Sequence, residues 1–206
     1  MKYFVFISIF SILLGIITKS ILNLDILMLD SLSSSLTNNQ INEYLNFQKR
    51  WQWLSYSIIP LLLLIKTTLI SSVLYVGTFF YSKAGLTFKQ LLNLVVKAEF
   101  VFLGVGFFKI IWFYFFQVNY TLDDIQYFYP FSAINITGYK GLEPWLIYPL
   151  QTLNLFELAY IIFLAYQLGT LTKTNADTGL KIVAYSYVPT LFLWVTVVMF
   201  FTLNYS

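Results

Sequence analysis

Polar residues along this chain gather in short clusters, and the runs between them are apolar for 20 residues or more. Crossing roughly 30 Å of hydrocarbon takes about 20 residues of helix, so each run is long enough to span a bilayer. Five stand out, at 3–22, 54–81, 92–117, 145–168 and 181–203. The alternation of outer-membrane barrel strands is absent. The pattern predicts an all-α polytopic membrane helix bundle of about five transmembrane helices, a single integral membrane domain over 1–206. The first run follows Lys2 as a signal peptide would. However, "LLGIITKSILNL" offers only "TKS" where a cleavage site needs small residues, and a retained anchor is expected.

The connections carry their own signals. In "SLSSSLTNNQINEYLNFQKRWQW", Thr37 and Gln40 have capping-box spacing, which starts a helix there. Ile41, Tyr44, Leu45 and Gln48 share one of its faces, so a surface helix is expected over 40–50, separated from the second span by a kink at Pro60. In "NYTLDDIQYFYPFSAINITGYKGLEPW", Thr121 and Asp124 cap a short helix that Pro130 ends. Tyr127, Phe128, Tyr129 and Phe131 are too apolar for an open loop and should lie at the interface or fold back over the bundle. Asp123 and Asp124 are two adjacent carboxylates in a first helical turn, where they interact with the dipole; a calcium loop would need many more oxygens. In the last span, Pro189 frees the carbonyl of Tyr185, with Ser186 and Thr190 placed to satisfy freed groups; the patch reads as packing or as the lining of a pathway.

Composition narrows the chemistry. The chain is 59% hydrophobic and only 10% charged, less than half the charge of an average soluble domain. Neither histidine nor cysteine occurs, which removes Ser-His and Cys-His nucleophiles, HExxH zinc sites and thiolate ligands. No phosphate-cradling glycine motif is complete, "GVG" at 104–106 being a fragment that lets a neighbouring helix approach. No catalytic, cofactor-binding or metal-ligating residue is therefore assigned, and the chain is read as not an enzyme. The net charge of +3 is scattered over the loops, with no basic face for nucleic acid; the expected partners are the bilayer and another membrane protein. Lys2, Lys83, Lys89, Lys97, Lys173 and Lys181 fall on one side of the five spans, and Lys19, Lys49, Arg50 and Lys140 on the other. The bias favours N-in and C-out.

Three charges interrupt the spans near their middles: Lys66, Lys109 and Glu157. An unpaired lysine at the bilayer centre costs about 2.5–3.5 kcal/mol on insertion scales, so these groups should converge. Two readings follow: an ion pair, Lys109 with Glu157 and Lys66 beside them, that fixes how the spans pack; or a polar cavity with one excess positive charge. Glu99 and Lys97 are expected at the inner end of the third span.

Several short segments carry a family likeness. "LTFKQLLNLVVKAEF" (86–100), "PFSAINI" (130–136), "LNLFELAYIIFLAYQLG" (153–169) and "KIVAYSYVP" (181–189) resemble the bacterial branch of the Yip family, integral membrane proteins related to the Ypt-interacting proteins. The likeness covers roughly 86–198. It implies about five spans and a non-enzymatic role played through other membrane proteins or the bilayer, in a bacterial inner membrane. Eukaryotic members contact small GTPases through a longer cytosolic segment; with only Met1 and Lys2 ahead of the first span, that partner is not carried over. The alternative is a small transporter or permease subunit using the Lys66, Lys109 and Glu157 region.

Overall fold

The computed structural model describes residues 2–33, 36–81 and 85–205, without the side chains of residues 38 and 81. Lys83 lies outside the described residues. All regular structure among them is helical: α1 (Lys2–Ile21), α2 (Leu24–Ser33), α3 (Asn38–Tyr81), α4 (Phe88–Ala98), α5 (Phe100–Phe115), α6 (Leu122–Tyr127), α7 (Ile134–Thr137), α8 (Pro144–Thr152), α9 (Leu155–Leu171) and α10 (Ala176–Tyr205). Among the described residues three helices are long and apolar enough to cross a membrane: Lys2–Ile21, Asn39–Phe80 and Ala176–Tyr205. Most of their apolar surface is left uncovered by the rest of the chain, including Phe6, Phe10 and Leu13 of α1 and Phe192, Leu193 and Phe200 of α10. Helices that are apolar all round yet uncovered have lipid as their solvent.

Side-chain pairs fix the relative direction of the helices. Tyr3 lies under the Lys97 ammonium, Leu14 against Gly106, and Leu22 clusters with Phe113, so α1 runs alongside α4 and α5 in the same sense. Lys66 meets Glu99 and Tyr75 meets Phe88, so α3 runs against them. Phe156 meets Gly104 and Tyr160 meets Phe102, which turns α9 back again. Tyr187 bonds Glu157 and Trp194 bonds Tyr148, so α10 reverses once more. The main core joins Leu74, Leu91, Val95, Leu164, Leu168 and Ile182 from α3, α4, α9 and α10. A smaller cluster of Leu22, Phe113 and Ile125 closes the opposite end.

Small residues permit these approaches. A Cβ at Gly179 would sit 1.9 Å from the Ala165 carbonyl oxygen, so only glycine lets α10 meet α9 there. The two glycines of "GVG" serve different neighbours, Gly104 facing Phe156 and Gly106 facing Leu14.

The capping box at Thr121 with Asp124 forms, and at the start of α3 Gln40 Oε1 accepts the Thr37 N–H and hydroxyl. The expected division at Pro60 does not form: α3 is one helix of 44 residues with Pro60 inside it. Proline deletes a single i→i−4 bond, and the helix continues on both sides of the gap. At 1.5 Å per residue, Phe47 stands about 28 Å along the axis from Lys66. The expected fourth span is likewise two helices, α8 and α9, interrupted between Thr152 and Leu155.

Candidate functional site

The charges set within the apolar runs form a network whose members differ in part from those the sequence singles out. Lys66 reaches from α3 to Glu99, Nζ to Oε2 at 2.8 Å, and its ammonium lies 4.0 Å from the centre of the Phe102 ring. The other carboxylate oxygen, Oε1, accepts the Tyr160 hydroxyl at 3.0 Å. Glu99 is thus buried, 3% exposed, and tied to α3 and α9, although an interfacial position was expected for it. The reason lies upstream. The capping box of Thr87 and Gln90 starts α4 at Phe88, so the α4–α5 pass runs to Phe115 with its middle near Phe102. Glu99 then falls near the middle of the α4–α5 run, and Lys109 lies about 11 Å of helix away from that middle.

Lys109 accordingly does not meet Glu157. It lies on the face of α5 shared by Phe102, Gly106 and Phe113, at helical spacings of three or four residues, and these touch Lys66, Leu14 and Leu22. Lys109 is half-buried and forms neither an ion pair nor a hydrogen bond among the described residues.

Glu157 sits in the first turn of α9. Asn154 caps this helix, its Oδ1 accepting the Glu157 N–H at 2.7 Å. The same side chain donates to the carbonyls of Gln151 and Thr152, so one residue satisfies both sides of the interruption. A loop strand of chain closes the rest. The Ala133 N–H donates to the Leu153 carbonyl at 2.9 Å, and the Leu155 N–H to the Phe131 carbonyl at 3.1 Å. Non-helical backbone at membrane depth requires such internal partners, since lipid offers none. Phe131 itself takes the left-handed conformation, φ 54°, unusual for an aromatic residue, and is held by the rings of Phe108 and Phe156. Glu157 Oε1 accepts the Tyr187 hydroxyl from α10, and Oε2 accepts no hydrogen bond among the described residues.

Around this interruption opens a groove of about 1060 Å³. Its walls are the second half of α5 with Phe108 and Trp112, the start of α9, and the Val188, Leu191 and Val195 face of α10; the 130–139 loop lies at one end. Glu157 lines it, as does Asp124 at the loop end. No lysine or arginine does. The aromatic residues of the loop fold back over the bundle: Phe128 stacks on Trp112 and Tyr127 on Tyr139.

Asp124 works as a cap. Oδ2 accepts the Thr121 N–H and hydroxyl, each at 2.8 Å, and Oδ1 accepts the Tyr139 hydroxyl at 2.7 Å. Burial raises its pKa, but the bonds from Tyr139 and Thr121 and the Lys140 charge outweigh that and hold it below the ordinary value. Burial together with the Asp124 bond and charge pushes Tyr139 up to about 12. Among the described residues no group of three or more Asp or Glu side chains is placed to hold a metal.

In the last pass Pro189 sits inside an unbroken α10. Thr190 donates to the Ser186 carbonyl and Ser186 to the Ile182 carbonyl, each one turn back on its own strand of hydrogen bonds.

The sequence showed Lys66 and Glu157 as charges at depth. The network partners Tyr160 and Tyr187 and the cap Asn154 were missed. The polar triplet Thr-Leu-Asn before Leu155, inside an apolar run, was the one local signal of the interruption. No family model, curated protein or solved structure matches the chain.

Proposed function

We propose that this is a five-pass inner-membrane protein, N-in and C-out, that binds a small amphipathic ligand in the groove at the α8–α9 interruption, as a transporter or permease subunit. The interrupted helix carries the reading. A pass broken at mid-depth, with its ends satisfied by a loop and a carboxylate in its first turn, is how membrane proteins expose polar groups to a ligand without exposing backbone to lipid. The groove volume is of the size of small-molecule sites, and the left-handed Phe131 holds the loop at its end. The five alternating passes and the lysine distribution support the topology.

The absence of cysteine makes the test direct. In reconstituted protein, Leu191→Cys on the groove wall should react with small water-borne maleimides, whereas Leu193→Cys, exposed outside it, should not. Equal, negligible reaction at both positions removes the groove from consideration.

A second reading is a Yip-like interaction protein working through other membrane proteins. Phe47, Trp51 and Trp53 near the start of α3 favour it, being mutually packed and exposed. A stoichiometric partner retained in mild detergent and lost on Phe47→Ser with Trp51→Ser supports that role.

A further inference from the structure

Building on the groove reading, we infer that the ligand is a cationic amphiphile, an apolar body with one ammonium head, and that Glu157 is its counter-ion. The charge inventory of the groove carries this. Its walls are aliphatic and aromatic, and its charged lining consists of Glu157 and Asp124, with no lysine or arginine. Asp124 has both oxygens engaged by Thr121 and Tyr139. Glu157 has one oxygen engaged by Tyr187 and one without a hydrogen bond among the described residues. An anionic head would meet a carboxylate and no cation. A phosphate-bearing zwitterion would satisfy its ammonium and strand its phosphate. Lys66 cannot serve as that cation, since its ammonium is held at 2.8 Å by Glu99. Nor is the start of α9 free to bind an anion, because Asn154 and Glu157 already occupy it. One ammonium on an apolar tail satisfies what remains: the open carboxylate oxygen and the long apolar wall.

The chain offers a clean optical reporter. A bimane at Val195→Cys stands on the groove wall about 10 Å of helix from Val188, and one at Leu193→Cys reports the surrounding bilayer. Brominated dodecyltrimethylammonium added to vesicles of the reconstituted protein should quench the Val195 label saturably, at mole fractions where the Leu193 label loses little. Brominated dodecyl sulfate should quench both labels alike and without saturation. Glu157→Gln should shift half-saturation by about tenfold or more, the worth of one charge-assisted contact, while Glu157→Asp keeps most of the affinity. Tyr187→Phe, which retains the carboxylate, should preserve the preference for the cation and guards against a folding defect in Glu157→Gln. Saturable quenching by both amphiphiles, or an unshifted Glu157→Gln, overturns the cationic assignment and leaves the groove reading intact. Quenching at Val195 that never exceeds that at Leu193 overturns both.

Discussion

Neutralising Glu99 is the most informative single perturbation of this fold. Breaking a fully buried ion pair by removing one partner costs about 3–5 kcal/mol, whereas exposed pairs are worth about 0–1 kcal/mol. Glu99 lies at the buried limit, 3% exposed, but the Lys66 side chain is 44% exposed and keeps the Phe102 ring beneath it. Glu99→Gln should therefore cost an intermediate amount, about 2–3 kcal/mol. Tyr160→Phe removes only one bond to Glu99 and should cost about 1 kcal/mol, near the average for hydrogen bonds between membrane helices. Lys66→Met strands the carboxylate and should resemble Glu99→Gln. The double variant Lys66→Met with Glu99→Gln removes both charges and should recover at least about 1 kcal/mol relative to the sum of the singles. Reversible unfolding in mixed micelles, with denaturing detergent as titrant, measures each difference. Strict additivity in the double variant, or a Glu99→Gln cost under about 0.5 kcal/mol, refutes the network as a determinant of packing.

Other consequences can be checked independently. Gly179→Ala should destabilise markedly, since its methyl would enter the 1.9 Å approach to the Ala165 carbonyl, while Gly15→Ala, with nothing within 4 Å, should be neutral or stabilising by up to about 1 kcal/mol in the same titration. Asn154→Ala should cost about 1–2 kcal/mol as a lost cap and speed hydrogen exchange at the Glu157 and Leu158 amides; unchanged exchange there would show that the loop alone holds the interruption. The loop pair gives a pH signature with two edges. Asp124 is lowered in the fold, so its contribution is present above the ordinary carboxylate range and lost as pH falls through its folded value; Tyr139 is raised to about 12, so its contribution is present below pH about 10 and lost as pH rises towards 12. Tyrosine-ring NMR should place Tyr139 among the late-titrating tyrosines and bring its ring back towards 10 in Asp124→Asn. A C-terminal alkaline phosphatase fusion should be active and a C-terminal fluorescent protein dark; the reverse pattern overturns the C-out orientation.

Hydropathy alone determined that the chain is helical and carries helices long and apolar enough to cross a membrane, because length and apolar character are properties of each run whatever its neighbours do. Capping was legible for the same reason: Thr37 with Gln40 and Thr121 with Asp124 act within four residues, and no distant partner can move them. Even the aromatic loop around Phe128 declared itself, being too apolar to remain in water. Depth was another matter. Centring the third span on its most apolar stretch put Lys109 at the middle, whereas Thr87 starts that pass at Phe88 and brings Glu99 there instead. A shift of a few residues moves a charge by several ångströms, enough to exchange one counter-ion for another. The interruption at Asn154 also lay beyond the local pattern. Unwound backbone is stable at depth only where another segment supplies its hydrogen bonds, and that segment, around Phe131 to Ala133, is brought to it by the tertiary fold. Which carboxylate is buried against a lysine and which is left open to a groove is thus decided by packing between passes. Nothing within either helix encodes it.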